Sequence, residues 1–407
     1  MPWLREAWGR RGAGLPAVFW WLWAGGLVNS LASFLLAFLA LFLTARGFSV
    51  EQAGLVVALF GAGNVVAGPV AGAFADRVGR RPTMLVALWA SAAVTALLGA
   101  LTSPLAIGAA VLLIGLIANG YRPAAAAVVA DIVPAADRAR AFGLLYWAAN
   151  LGMAVSAAAG GLLAAWGWTT LFLVDAATSF LYGFVVWRRI PESRPRTPPA
   201  AAGPPARGYG TVLGDRVYLV FLGLQLALML AFLQFMVALP VDMSRHGFGP
   251  ATYGRVIAVN GVLIVALQPL LARQLARFDP GRVLAAGSAL VGLGYGGYAL
   301  AGSAWQYAAA TAVWSLGEIF VLPVAATVVA ALSPPDLRGR YQGLYSLTFG
   351  AAMLASPILG ASALQRLGPG PLWSACLALS FLVALGHLAA GPARRRRTGR
   401  EGPHSPR

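Results

Sequence analysis

The chain has 407 residues, 59% of them hydrophobic and only 11% charged. A soluble domain carries about 25% charged residues, so a soluble globular enzyme, a disordered chain and a disulfide-built scaffold are all excluded. All 30 basic residues are arginine and the net charge is +17, but the arginines stand in short clusters between apolar stretches, the pattern of membrane loops and not of a nucleic-acid surface.

A bilayer-spanning helix uses roughly 20 apolar residues. Apolar runs bounded by turn residues or charge predict twelve of them, near 17–44, 52–74, 83–102, 105–130, 141–165, 169–187, 217–241, 252–272, 283–302, 307–332, 341–364 and 371–390. The first run is too long for the core of a secretory signal and lacks a small-residue cleavage site. The chain thus reads as a short N-terminal segment (1–16), six spans (17–188), a linker (189–215), six more spans (216–390) and a basic tail (391–407). The linker is rich in Pro, Ala, Gly and Arg and reads as flexible and partly polyproline. With the N-terminus inside, 25 arginines fall on the cytoplasmic side and four outside. The positive-inside rule then predicts a multi-pass protein of the cytoplasmic membrane with both termini cytoplasmic. The run Arg394–Arg397 reads as a juxtamembrane anchor on anionic lipid. Cys376, the single cysteine, reads as a small buried hydrophobe.

Shifting the chain by 200 residues superposes the stretch from Pro123 on the stretch from Pro323, with 11 identities in 22 positions. Pro134/Pro334, Arg138/Arg338, Arg140/Arg340 and Gly143/Gly343 are among them. Spans four and ten, with the loops after them, are therefore copies. Two six-helix halves in the same orientation form the parallel-repeat arrangement of one class of transporter.

Between spans two and three stands Gly72-Ala73-Phe74-Ala75-Asp76-Arg77-Val78-Gly79-Arg80-Arg81-Pro82. With the twelve spans, the linker and the repeat, this loop resembles the G-x-x-x-D-R-x-G-R-R signature of the major facilitator superfamily, over residues 17–390. Gly72 allows close helix approach and Gly79 a tight turn, while Asp76, Arg77, Arg80 and Arg81 supply a charge network. The resemblance implies an all-α membrane protein of two pseudo-symmetric six-helix bundles. It also implies a cytoplasmic latch, in which Asp76 and Arg80 meet a carboxylate at the inner end of span four, here Asp131. The equivalent loop of the second half, Arg277 to Arg282, has no Asp at the matching place. Exporters of the family carry a glycine-rich signature on span five. Gly152, Gly160 and Gly161 fit it, but Ser156-Ala157 replace its Gly-Pro pair.

An ionisable group inside the bilayer costs about 2.5–3.5 kcal/mol even on a lenient scale, so each asks for a reason. Arg122 lies deep in span four and Glu318 near the middle of span ten. At the 200-residue shift Glu318 corresponds to Ala118, four residues before Arg122 and on the same helical face. The resemblance implies that spans one, four, seven and ten line the cavity, so Glu318 and Arg122 are expected to project into it from opposite halves. A carboxyl there is costly when charged, so its protonation can be tied to which side is open. Glu318 is the expected proton carrier, with Arg122 setting its charge balance; a purely structural ion pair is the other reading of Arg122. Asp131, nine residues beyond Arg122, falls on the opposite helical face. Asp175 reads as a packed or interfacial carboxylate, His387 as a core histidine and Asp242 as a capping or solvated residue at the outer end of span seven.

Polar and aromatic residues on the candidate cavity helices are Asn29 and Ser33, Asn119 and Tyr121, Tyr146 and Asn150, Gln225 and Gln234, Trp314 and Tyr345. The leading reading is a secondary active transporter, a monomer in the lipid bilayer that exchanges a small-molecule substrate for protons. In direction it reads as an exporter of lipophilic or amphiphilic compounds. The alternative is a proton-coupled importer or carrier of a peptide, sugar or metabolite. A membrane-embedded enzyme would need clustered chemistry, and His246, His387 and His404 lie on separate segments. There is no phosphate-binding loop and no filter-like channel loop, and no cofactor is expected.

Overall fold

The computed structural model describes residues 14–134, 137–193, 209–275, 277–334 and 337–397. It contains twelve helices long and apolar enough to cross a membrane. In chain order, spans one to six are Ala17–Ala45, Val50–Ala67, Arg80–Leu98, Pro104–Ile132, Arg140–Ala165 and Trp168–Arg189. Spans seven to twelve are Arg216–Met236, Pro250–Leu271, Pro280–Leu300, Ala304–Leu332, Arg340–Arg366 and Pro369–Ala389. An even number of spans places both chain ends at one face, called the terminal face below; the opposite one is the far face.

Three spans are interrupted. Span one is two helices, Ala17–Leu31 and Leu35–Ala45. Span four is Pro104–Ile117 and Tyr121–Ile132, broken just before Pro123, which has no N–H to give to a continuing ladder. Span seven runs as Arg216–Phe232, a 3-10 turn Leu233–Met236 and a short helix Ala238–Arg245. The breaks in spans one and seven fall about one repeat length apart.

In the first half span one packs on five and six, two on four, and three on six. In the second half nine packs on ten and twelve, eight on ten, and seven on eleven and twelve. The halves meet where span two lies along eleven, five along eight, and the far parts of one and seven touch. Glycines make these contacts close. A Cβ on Gly54 would stand 2.5 Å from Ala361 Cβ, and one on Gly61 2.6 Å from the Met353 carbonyl. On the other seam, a Cβ on Gly261 would stand 2.5 Å from Ala154 Cα, and one on Gly254 would strike the Ala157 carbonyl. Gly54 and Gly61 match Gly254 and Gly261 at the 200-residue offset. Both seams lie toward the far face, where Phe38 of span one also meets Tyr253 of span eight edge to face at 5.6 Å. The far face is closed.

The basic tail is not a free strip of charge. Residues Gly391–Arg397 form a helix whose arginines bind the protein: Arg394 donates to His387 Nδ1 at 3.0 Å, Arg395 pairs with Asp279 at 3.1 Å and Arg397 with Asp215 at 2.8 Å. Arg394 is buried, and burial lowers the pKa of its guanidinium, opposed by the nearby Asp279. Of the expected linker, residues 194–208 lie outside the described residues, and Tyr209–Leu213 is a single helical turn.

Candidate functional site

A cavity of about 210 Å³ lies between spans one, four and five, lined by Leu22, Trp23, Ser30, Tyr121, Arg122, Phe142, Leu145, Tyr146 and Tyr182, among others. The break in span four sets Tyr121 and Arg122 in the first turn of a new helix, so both side chains reach this space. Tyr121 packs edge to face on Tyr182, with ring centroids 5.5 Å apart. Arg122 is exposed to the cavity and forms no ion pair or side-chain hydrogen bond among the described residues. Two acids of the first half are committed elsewhere. Asp131 pairs with Arg80, and Asp175 accepts from the backbone N–H groups of Phe34 and Leu35 at 3.1 and 3.2 Å. Asp175 thereby caps the far helix of span one across its break, a role invisible in the sequence because the partners are about 140 residues apart.

Glu318 sits on span ten, partly buried, and Oε2 accepts from Asn260 Nδ2 of span eight at 2.7 Å. The same Nδ2 donates to Ser315 Oγ at 3.0 Å, and Ser315 in turn donates to the Thr311 carbonyl at 2.7 Å. No contact joins Glu318 to Arg122 among the described residues. The first half carries a similar rung: Asn119 Nδ2 of span four donates to Asn64 Oδ1 of span two at 3.2 Å. Both rungs link residues 55 apart. Each is followed three residues later by a charge, Arg122 after Asn119 and Glu318 after Ser315. Relative to the 200-residue repeat the rungs are four residues, one helical turn, out of register. Asn64 and Asn260 carry no charge, stand in ordinary apolar runs and do not coincide at the 200-residue offset, so no signal in the sequence flags them.

The other cavity candidates are placed as follows. Asn29 Oδ1 accepts from Ser179 Oγ of span six at 2.8 Å, and Ser33 is exposed in the break of span one. Asn150 donates to the carbonyl of Tyr146, the exposed ring of its own helix. Gln225 is buried with neither amide atom bonded. Gln234 donates to Ser356 Oγ at 3.0 Å, across spans seven and eleven. Trp314 does not line open space. It is buried, stacks on Tyr295 at 5.6 Å, and donates to the Tyr298 hydroxyl at 2.6 Å. Tyr345 stacks on Phe221 at 6.4 Å. Asp242, expected at a solvated helix end, is wholly buried and accepts from Tyr307 and Trp373, each at 3.0 Å. His246 covers it from the far face at 3.6 Å.

At the terminal face the loop motif folds around Gly79, whose φ of 127° only glycine adopts readily. Arg80 Nε stands 3.5 Å from Asp131 Oδ2, and Arg80 also donates to the Ala75 carbonyl. Arg81 donates to the Trp187 carbonyl, and Arg77 is exposed. The side chains at Gly72 and Asp76 lie outside the described residues. Sequence reasoning missed Glu192, just past span six. Its two oxygens accept from the backbone N–H groups of Arg80 and Arg81 at 3.0 and 3.1 Å, capping span three, while Ser193 donates to Asp131 at 2.8 Å. An acid at a helix N-terminus satisfies free N–H groups and the helix dipole together. All of these bonds stay inside the first half.

The Major Facilitator Superfamily model matches residues 22–249 and 222–406. Among curated proteins, the chain is 25% identical to a Na(+), Li(+), K(+)/H(+) antiporter of Planococcus maritimus, over 79% of this chain and 83% of the relative. It is 28% identical to the class C tetracycline resistance protein of Escherichia coli, over 82% of this chain and 86% of the relative. It is 26% identical to multidrug resistance protein MdtH of Cronobacter sakazakii, over 77% and 78%. A crystal structure of the nucleoside transporter NupG superposes with a TM-score of 0.75 at 12% identity, covering 91% of this chain and 99% of that one. A POT family transporter in complex with a thioalcohol conjugated peptide gives 0.77 at 15% identity, over 95% and 98%. These two likenesses establish the fold.

Proposed function

The chain belongs to the Major Facilitator Superfamily, and on that premise we propose that it is a proton-coupled exporter of lipophilic or amphiphilic compounds, working by alternating access across the cytoplasmic membrane. One observation carries the coupling assignment. Asp131 is paired with Arg80 and Asp175 caps a helix, whereas among the described residues Glu318 is held only by the neutral amide of Asn260. A carboxyl in that setting can gain and lose a proton without breaking an ion pair. The apolar and aromatic lining of the cavity around Arg122 suits an amphiphilic cargo. The relatives named above include an antiporter and two resistance proteins, which supports outward transport in exchange for a cation.

The 25 arginines of the terminal face, against four on the far face, make the terminal face cytoplasmic. The closed far face then belongs to the inward-facing member of the cycle. There the cargo enters and Glu318 releases its proton to the cytoplasm; after the switch, with the far face open, Glu318 takes up a proton from outside. Arg80, Asp131 and Glu192 stabilise the cytoplasmic end of the first half. The pathway is built within one chain, so a monomer is the working unit.

The test is reconstitution in proteoliposomes with an imposed pH gradient and a panel of amphiphiles. E318Q is expected to abolish gradient-driven transport while downhill exchange of the same compound stays measurable. Full gradient-driven transport by E318Q overturns the assignment.

A further inference from the structure

Asn260 has its amide orientation fixed by a chain of bonds. Ser315 spends its only hydrogen on the Thr311 carbonyl, so Ser315 Oγ can only accept from Asn260. That sets Nδ2 toward span ten, and its second hydrogen points at Glu318 Oε2, 2.7 Å away. The amide therefore offers Glu318 a donor. A donor favours the ionised carboxylate, and a charge-assisted bond of this kind is about twice as strong as a neutral one.

The next residue along span eight is Gly261, whose Cα lies against Ala154 of span five, one of the two seams that close the far face. The bond to Glu318 and the contact with the other half are thus made by adjacent residues of one helix. We propose that Asn260 is the positioning residue of coupling: it reads the charge on Glu318 and passes it to the seam between spans eight and five. Ionised Glu318 holds span eight in the packing that keeps the far face closed, and protonation loosens that hold. This inference rests on the assignment of Glu318 as the proton carrier.

The surroundings leave Asn260 as the group able to do this. Tyr295 of span nine is within electrostatic reach of Glu318, but its hydroxyl is engaged with the Phe232 carbonyl. On span eight Arg255 is bonded to Thr252. On span eleven Tyr341 donates to Asp215 and Tyr345 stacks on Phe221. Arg122 of the first half makes no contact with Glu318.

The test follows the far face directly. Leu239, wholly buried in the far closure, is replaced by cysteine in a Cys376→Ser background, and labelling by a membrane-impermeant maleimide is timed from outside in proteoliposomes. The pH is varied and the rates are corrected for thiolate fraction with a short cysteine peptide. In the wild-type frame the corrected rate is expected to rise about fivefold or more from pH 8 to pH 5.5, a typical coupling size. N260V is expected to flatten that dependence, and so is E318Q, and combining the two adds nothing further. A merely structural role would slow or speed labelling at every pH and leave the slope intact. The proposal is overturned if N260V keeps the wild-type pH slope. If E318Q loses gradient-driven transport while N260V keeps it together with the slope, the Glu318 assignment stands and Asn260 alone is refuted. If E318Q transports in full while N260V still flattens the slope, the transport assignment falls and the conformational role of Asn260 survives.

Discussion

Adding one methyl group to Gly261 should open the far face. A Cβ there would stand 2.5 Å from Ala154 Cα and 3.0 Å from its nitrogen, where ordinary contacts between heavy atoms are about 3.5–4.0 Å. The atoms facing it are the backbone and the Cβ of Ala154, none of which can rotate away, so span eight must move off span five by about 1 Å. Overpacking of this kind costs about 1–3 kcal/mol. The strain exists only while the seam is closed, because the far-open state separates these helices. Gly261→Ala therefore moves the conformational equilibrium outward by the same amount, about 5–150-fold. Labelling of Leu239→Cys from outside should accelerate by that factor at fixed pH, and Gly61→Ala on the matching seam should do the same. Gly223→Ala is the control, since nothing lies within 4 Å of its Cβ position. Unchanged labelling in Gly261→Ala, or acceleration equal to that of the control, refutes the seam as the far gate.

Two further outcomes are expected. Asp175→Ala leaves the Leu35 N–H without its acceptor, while Phe34 keeps the Ala32 carbonyl at 2.9 Å; the loss should be about 1–3 kcal/mol, read as a lower Tm of the purified protein, with Asp175→Asn closer to the parent. Arg397→Ala removes the ion pair of a buried Asp215 that still accepts from Tyr341 and Tyr218; because Arg397 is itself 39% exposed, solvent screening limits the loss to about 1 kcal/mol, and an unchanged Tm would show that Arg397 does not brace span seven.

The twelve spans, the halves and their repeat were legible because each rests on local information: apolar runs of bilayer length, arginine clusters and a fixed offset. Glu318 and Arg122 stood out for the same reason, as charges inside apolar runs. What could not be read depends on partners distant in sequence. The break in span one is stabilised by Asp175 of span six, and the cap of span three is Glu192, beyond the motif it completes. Trp314 has the composition of a ligand-stacking residue, but the rings of Tyr295 and Phe235 enclose it. Asp242 lies at the end of span seven in sequence, yet Trp373 of span twelve folds over it. The arginine run of the tail looked like a lipid anchor because nothing local announces Asp215, Asp279 and His387 as its partners.

The two halves repeat one another where symmetry serves the motion and differ where the chemistry demands it. A switch between faces that rocks one half against the other must part both seams together. Gly54 and Gly61 accordingly match Gly254 and Gly261 at the same offset, so neither seam is bulkier than its mate and neither lags. The polar rungs behind the seams keep the same 55-residue spacing but slip by one turn, and the charge that follows each has opposite sign. In the first half it is Arg122, a cation. In the second it is Glu318, an acid, which accepts from Asn260, the residue beside Gly261. On the proposed coupling, a reversible charge at Glu318 would bias the seam beside Asn260, and the matching glycines of the other seam would let the whole far face follow.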